Sequence, residues 1–221
     1  MQQTKISVPP AFVRNHPSQT AVMAPDDAAE MLLGEMARKT GKSLADSDVL
    51  DVGCGTRFAI GIHNRGIAIR HYTGIDIDER LIKWLQANVV DKNLEFVHWP
   101  VKNPVYNPNG VEMLQMSSMP TDRVFDIISF FSVFTHLNPP DAKKMLELCR
   151  PRLKLDGRIF LTAFVADTVQ EYEEGKPDQP SLVSIFGKQF FEQMIAEEGF
   201  RIVASYPRQT LMAPHYVLAR E

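Results

Sequence analysis

Val49-Leu50-Asp51-Val52-Gly53-Cys54-Gly55-Thr56 constrains this chain more than any other stretch. A short apolar run feeds directly into an acid and two glycines one residue apart. Such a run predicts a strand ending in a turn where the backbone must approach a ligand closely, because glycine puts no Cβ in the way. Thr73-Gly74-Ile75-Asp76 then predicts a second strand that also ends in a carboxylate. A glycine turn with an acid after the next strand describes a nucleoside site in a doubly wound α/β domain.

Length and charge limit the alternatives. The 221 residues suffice for one α/β domain with a sizeable core and are too few for two comfortable ones. The formal charge is −3 and no Lys/Arg run or basic stripe occurs, which argues against nucleic acid as a partner. No apolar segment approaches the roughly 18 to 20 residues that span a bilayer. Met1-Gln2-Gln3-Thr4-Lys5 is followed by no apolar signal core. Cys54 lies in the glycine turn and Cys149 in an expected helix, so no structural disulfide is expected. The expectation is a soluble cytoplasmic protein in a reducing compartment.

Residues 1–44 read as an N-terminal arm and helix, the arm rich in proline and without a clear period; a part in an acceptor lid is expected of them. Pro25-Asp26-Asp27 starts the helix and Gly41 suits its end. Residues 45–221 read as the main domain. Strands are expected at about 48–53, 71–77, 94–99, 125–131, 158–165, 199–206 and 215–219, the fifth entered by a turn at Asp156-Gly157. Helices are expected at 58–66, at 79–90 behind an Asp78 cap, at 140–153 and at 188–198. Two long polar segments, 100–123 and 166–184, read as loops of a length that usually serves function. Strands alternate with helices until the last two strands follow one another directly, which puts an antiparallel pair at one sheet edge.

This order, with these residues at the strand ends, resembles the class I S-adenosylmethionine-dependent methyltransferases over about residues 45–221. Four segments carry the resemblance: the glycine turn, Gly74-Ile75-Asp76, Phe125-Asp126-Ile127-Ile128 with Ser132-Val133-Phe134-Thr135-His136-Leu137, and Glu147 through Gly157. It implies a single Rossmann-like doubly wound seven-stranded sheet, mostly parallel with an antiparallel edge strand and helices on both faces. It implies S-adenosylmethionine as cofactor and S-adenosylhomocysteine as product. The turn amides at Gly53 and Gly55 would meet the methionine part and Asp76 the ribose hydroxyls; Asp51 either holds the turn or reaches the cofactor ammonium through water. Ile77, Met119 and Phe131 are further cofactor-side candidates. Two departures from the family pattern stand out: Thr56-Arg57-Phe58 replaces a frequent third glycine, and His98-Trp99-Pro100 lacks the acid that often meets adenine. Arg57 is open to three roles: over the cofactor carboxylate, facing the acceptor, or on the surface.

A hydroxyl acceptor must lose a proton as the methyl bond forms, and histidine is the usual base. His136, just past the fourth strand, is the candidate; capping the following helix or bonding a neighbouring carbonyl is its alternative. His16 and His215 are further acceptor-side candidates, as are Tyr106 and Tyr172 in the two long segments. The acids Glu171, Glu173 and Glu174 would suit a cationic acceptor or a solvated face. A divalent cation such as magnesium, which some sugar and catechol methyltransferases hold, stays open as a minor alternative, but no paired-acid motif for it is evident and no metal ligand is assigned. The expected activity is methyl transfer to a hydroxyl of a small molecule, a saccharide or secondary metabolite, by a monomer or homodimer. The alternatives are an N-methyltransferase on a small amine, a nicotinamide dehydrogenase, disfavoured because Phe58 stands at the fingerprint's third glycine, and a nucleoside-cofactor-binding protein without catalysis.

Overall fold

The computed structural model describes residues 4–9, 12, 23–104, 106–209 and 213–221. Helix α1 (Pro25–Thr40) leads into β1 (Asp48–Val52), α2 (Arg57–Arg65), β2 (His71–Asp76), α3 (Glu79–Asn88) and β3 (Leu94–His98). Next come β4 (Phe125–Phe130), α4 (Pro139–Cys149) and β5 (Leu153–Thr162). Three short strands follow, β6 (Phe164–Ala166), β7 (Tyr172–Glu174) and β8 (Ser184–Gly187), and then α5 (Lys188–Glu197), β9 (Phe200–Tyr206) and β10 (His215–Arg220).

Seven strands form one sheet in the order β3-β2-β1-β4-β5-β10-β9. The pairs from β3 to β5 are parallel, while β10 runs antiparallel to both β5 and β9. The period-two alternation of side chains splits each strand between two cores. Val49, Tyr72, Ile127, Phe160 and Val217 pack beneath α1, α2 and α3, and Leu50, Ile75, Ile128, Ile159 and Leu218 pack beneath α4 and α5. Burial on both faces is why four of the six residues of Phe125–Phe130 are apolar and buried. This is the doubly wound fold expected from the sequence.

The helix ends obey local rules. Pro25 opens α1, Asp26 and Asp27 meet its dipole, and Gly41 closes it at φ 67°. Asp78 Oδ1 accepts from the amides of Arg80 (3.1 Å) and Leu81 (3.3 Å) at the start of α3. Asn138 caps α4 by accepting from the Asp141 amide at 2.9 Å. His136 is therefore not needed as that cap.

The structure departs from the expected elements at several places. The helix α4 stops at Cys149 and a single 3-10 turn, Arg150–Arg152, holds Pro151. Asp156-Gly157 is no separate turn; both lie within β5, where pairing with β4 skips from Leu153↔Phe125 to Arg158↔Ile127 and leaves an irregularity. The strand expected to continue to Val165 ends at Thr162, and β6 leaves for a second sheet of order β6-β8-β7. Residues 166–184 are therefore partly strand: β7 folds back antiparallel on β8, while β6 joins it in parallel. Strands of three or four residues are too short to carry a period. Residues 100–123 fold compactly as well, with bridges Val101↔Val111 and Asn103↔Asn107 and a 3-10 turn at Met113–Gln115.

The described arm residues Ile6, Val8 and Phe12 pack on the core beneath α1–α3. Asn64 grips Ile6 twice, accepting from its amide at 2.8 Å and donating to its carbonyl at 2.9 Å. That grip lies at the end of α2 away from the glycine turn. Among the described residues, no helix is long and apolar enough to cross a membrane.

Candidate active site

The turn after β1 has the backbone that its glycines allow. Gly53 sits at φ 69° and Gly55 at φ 52°, in the left-handed region. At Gly53 space matters too, since a Cβ there would come within 2.8 Å of Val133 Cγ2; at Gly55 a Cβ would meet nothing within 4 Å. The turn is tied to β2 by its own amides. Those of Gly53 and Cys54 donate to the Ile75 carbonyl at 2.8 and 3.0 Å, and that of Gly55 to Asp76 Oδ2 at 3.0 Å. The turn amides expected to meet a ligand are thus bonded within the protein. The first turn of α2, which starts behind Thr56 with no side-chain cap, brings the next backbone donors.

Asp76 is buried, and its second oxygen, Oδ1, accepts from the Asp78 amide at 3.0 Å. Asp51 is also buried. Its Oδ2 accepts from the Tyr72 hydroxyl at 2.7 Å and its Oδ1 from the Ser129 hydroxyl at 2.8 Å. These bonds link β2, β1 and β4 across the sheet, and Ser129 is the register partner of Asp51. Burial pushes the Asp51 carboxyl up to about 6, with a smaller push from the Asp76 charge, against the two hydroxyl bonds and Arg57. Arg57, in the first turn of α2, is itself drawn down by burial and held up by Asp51.

The residues expected on the acceptor side do not all come together. His136 lies in a 3-10 turn, Phe134–His136, between β4 and α4. Its Nδ1 stands 3.2 Å from the Ser181 carbonyl, so the neutral ring donates there and carries its lone pair on Nε2. Burial lowers its pKa, and the Ser181 and Leu182 carbonyls oppose that shift. Tyr106 meets the His136 ring edge to face, at 5.6 Å and 86°. Tyr172 belongs to the same neighbourhood: its hydroxyl donates to Glu174 Oε1 at 2.6 Å, and Glu174 Oε2 accepts from the Ser181 amide at 2.9 Å. The contact between Gly53 and Val133 joins this cluster to the glycine turn.

His215 is elsewhere. It is fully buried, stacked on Tyr206 at 5.1 Å, with Nε2 2.5 Å from Lys39 Nζ and Nδ1 donating to the Ala213 carbonyl at 3.1 Å. Lys39 also pairs with Glu35 at 2.9 Å. The ring thus ties α1 to the start of β10. His16 lies outside the described residues. Met119 is buried in the core beneath α4 and α5, with Ile77 packed against it, while Phe131 stacks on Phe160 on the other face at 6.1 Å. Among the described residues, no group of three His, Cys, Asp or Glu side chains is placed to hold a metal ion.

Sequence reasoning missed Tyr72, Ser129, Glu174 and Ser181 as partners of the residues it singled out. For Ser129 a signal existed: once β1 and β4 are paired, it stands level with Asp51.

Comparison with known proteins agrees with this architecture. A family model described as a methyltransferase domain matches residues 27–205. The S-adenosylmethionine-bound amino pentose methyltransferase CalS10 of Micromonospora echinaspora, involved in calicheamicin biosynthesis, superposes with TM-score 0.63 at 11% identity over 92% of this chain and 94% of its own. DesVI of Streptomyces venezuelae gives TM-score 0.64 at 14% identity, covering 98% of this chain and 100% of that one. A 1,6-didemethyltoxoflavin-N1-methyltransferase of Burkholderia thailandensis, with its substrate and S-adenosylhomocysteine bound, gives 0.58 at 17% identity over 98% and 93%. At these identities the likeness is one of fold.

Proposed function

The chain belongs to the methyltransferase domain family, and from that premise we propose that it moves a methyl group from S-adenosylmethionine to a hydroxyl of a small molecule, a saccharide or secondary metabolite. The observation that carries the reading is His136: its Nδ1 faces the Ser181 carbonyl, and its turn adjoins the glycine turn through Val133. The free lone pair on Nε2 is what a hydroxyl acceptor requires.

The residues present fit the cofactor. Asp76, a carboxylate at the carboxyl end of β2 beside the glycine turn, suits ribose hydroxyls as an acceptor. The first turn of α2 offers backbone donors and the Arg57 cation to a carboxylate. Bound there, S-adenosylmethionine supplies an electrophilic methyl and its own leaving group, so the protein has to align the acceptor and keep water out. Residues 100–123, carrying Tyr106, and the β6-β8-β7 sheet, carrying Tyr172, are the proposed acceptor cover. A share in it for residues 1–44 belongs to the same proposal. Asp51 serves as the tie beneath the turn.

An amine acceptor is the second reading, favoured by Glu174, whose carboxylate is linked to His136 through the backbone of the single residue Ser181. A panel of sugars, phenols and amines, read by S-adenosylhomocysteine release, tests both. Turnover on hydroxyl compounds supports the first reading and turnover on amines alone the second. Stabilisation by S-adenosylhomocysteine with no turnover on any class favours a binding protein.

A further inference from the structure

With His136 as the proton acceptor of the proposed reaction, the reading on which this inference rests, the groups that set its tautomer acquire a function. The only two non-glycine residues at positive φ among the described residues are Ser132 at 58° and Ser181 at 62°. Ser132 is four positions before His136, and Ser181 faces its ring. Strained backbone of this kind persists only where its surroundings over-determine it, and it gathers at functional sites. At Ser181 those surroundings can be named. Its amide donates to Glu174 Oε2 at 2.9 Å and its carbonyl accepts from His136 Nδ1 at 3.2 Å. The other oxygen of Glu174 accepts from Tyr172 at 2.6 Å, and the Tyr172 hydroxyl also stands 3.2 Å from Ser184 Oγ. Tyr172 and Ser184 belong to the paired strands β7 and β8, so the carboxylate is anchored on the small sheet rather than on a free loop.

We propose that Glu174 is a positioning residue, acting through the backbone conformation of Ser181 to hold His136 as the Nδ1–H tautomer with the Nε2 lone pair available to the acceptor. The carboxylate fixes the N–H side of Ser181 and, at a residue held in the left-handed region, thereby fixes where its carbonyl, on the other side of the Cα, is aimed. The left-handed turn at Ser181 lets two successive peptide groups of one residue meet the acid on one side and the ring on the other. The three-stranded sheet then has a second use besides covering the acceptor: it sets which ring nitrogen is basic.

Ring-15N-histidine NMR on the full chain, without cofactor or acceptor, reads this directly. The wild type should show His136 with a protonated Nδ1 and an unprotonated Nε2 at neutral pH. Glu174→Ala should shift the tautomer ratio at least about fivefold toward Nε2–H, the worth of one ordinary hydrogen bond. Glu174→Gln, whose side-chain carbonyl can still accept from the Ser181 amide, should return the ratio toward the wild type. A merely structural role for Glu174 would lower the thermal midpoint without moving the tautomer. A folded Glu174→Ala with the wild-type ratio overturns the proposal, as does a folded Glu174→Gln as shifted as Glu174→Ala. If the alanine variant does not fold, Tyr172→Phe, which removes the other bond to the carboxylate, takes its place with a smaller shift expected; no shift overturns the proposal. Thermal shift with S-adenosylhomocysteine on the same samples keeps the two ideas apart. A tautomer shift without cofactor binding sinks the methyltransferase reading alone, and binding without a shift sinks the positioning role alone.

Discussion

At the scale of single residues, chemistry is set by what surrounds each group. Asp51 is buried with a pKa near 6, above the ordinary carboxyl value of about 3.9. The folded state therefore holds this proton more tightly than the unfolded one. The stability Asp51 contributes is fully present below about pH 3.9 and is lost as pH rises through 6. Asp51→Asn keeps an acceptor for one hydroxyl and a donor for the other. It should gain on the wild type by an order of 2–3 kcal/mol between pH 4 and pH 8, read by urea unfolding at both. The two turn glycines should also part company. Gly55→Ala meets open space and should lose about 1 kcal/mol to backbone strain alone. Gly53→Ala adds a clash with Val133 and should lose roughly 2–4 kcal/mol, partly restored by Val133→Ala; equal losses from both glycines would contradict the contact. His136→Ala should lower turnover on a hydroxyl acceptor by about 10² to 10⁴ and on an amine far less.

Elements follow rules that are local, and most of them could be read from the chain. Pro25 and Gly41 bound α1 as expected, and Asp78 caps α3. Asp78→Ala should cost about 1 kcal/mol with no change in the sheet, measured as a lower urea midpoint at constant slope. What escaped was short or non-local. β6, β7 and β8 have three or four residues each, and β6 pairs with β8 past the intervening β7, so no local period marks them. The bulge at Asp156-Gly157 was hidden for a related reason: an Asp-Gly pair has the same composition in a turn as in an irregular strand. His136, Tyr106 and Tyr172 were legible as candidates by residue type and position, whereas the carbonyl that orients His136 is 45 residues away.

Across the whole molecule, the sheet gathers residues from distant elements along its carboxyl edge. A ligand held there should stabilise the entire chain. S-adenosylhomocysteine at 100 times its dissociation constant should add about 2.7 kcal/mol and raise the thermal midpoint by roughly 5–10 °C. NAD at the same concentration should do nothing; stabilisation by NAD alone would refute the cofactor assignment. Acid tolerance is also a property of the whole. His136 and His215 are both held below the ordinary histidine value, chiefly by burial, so the unfolded chain takes up protons first. Their contribution is fully present above about pH 6.5 and is lost as pH falls below it, opposite in sign to that of Asp51.

The glycine turn, the acid after β2, the alternation of strand and helix and the helix caps were determined by sequence alone, because φ restrictions, capping and periodicity act between near neighbours. The tertiary structure alone decided that Asp51 ties Tyr72 to Ser129, that His215 locks α1 to β10 instead of lining the acceptor site, and that Glu174 reaches His136 through Ser181. Those contacts join residues far apart in the chain, and their partners are chosen by strand register and burial, which exist only once the sheet has formed.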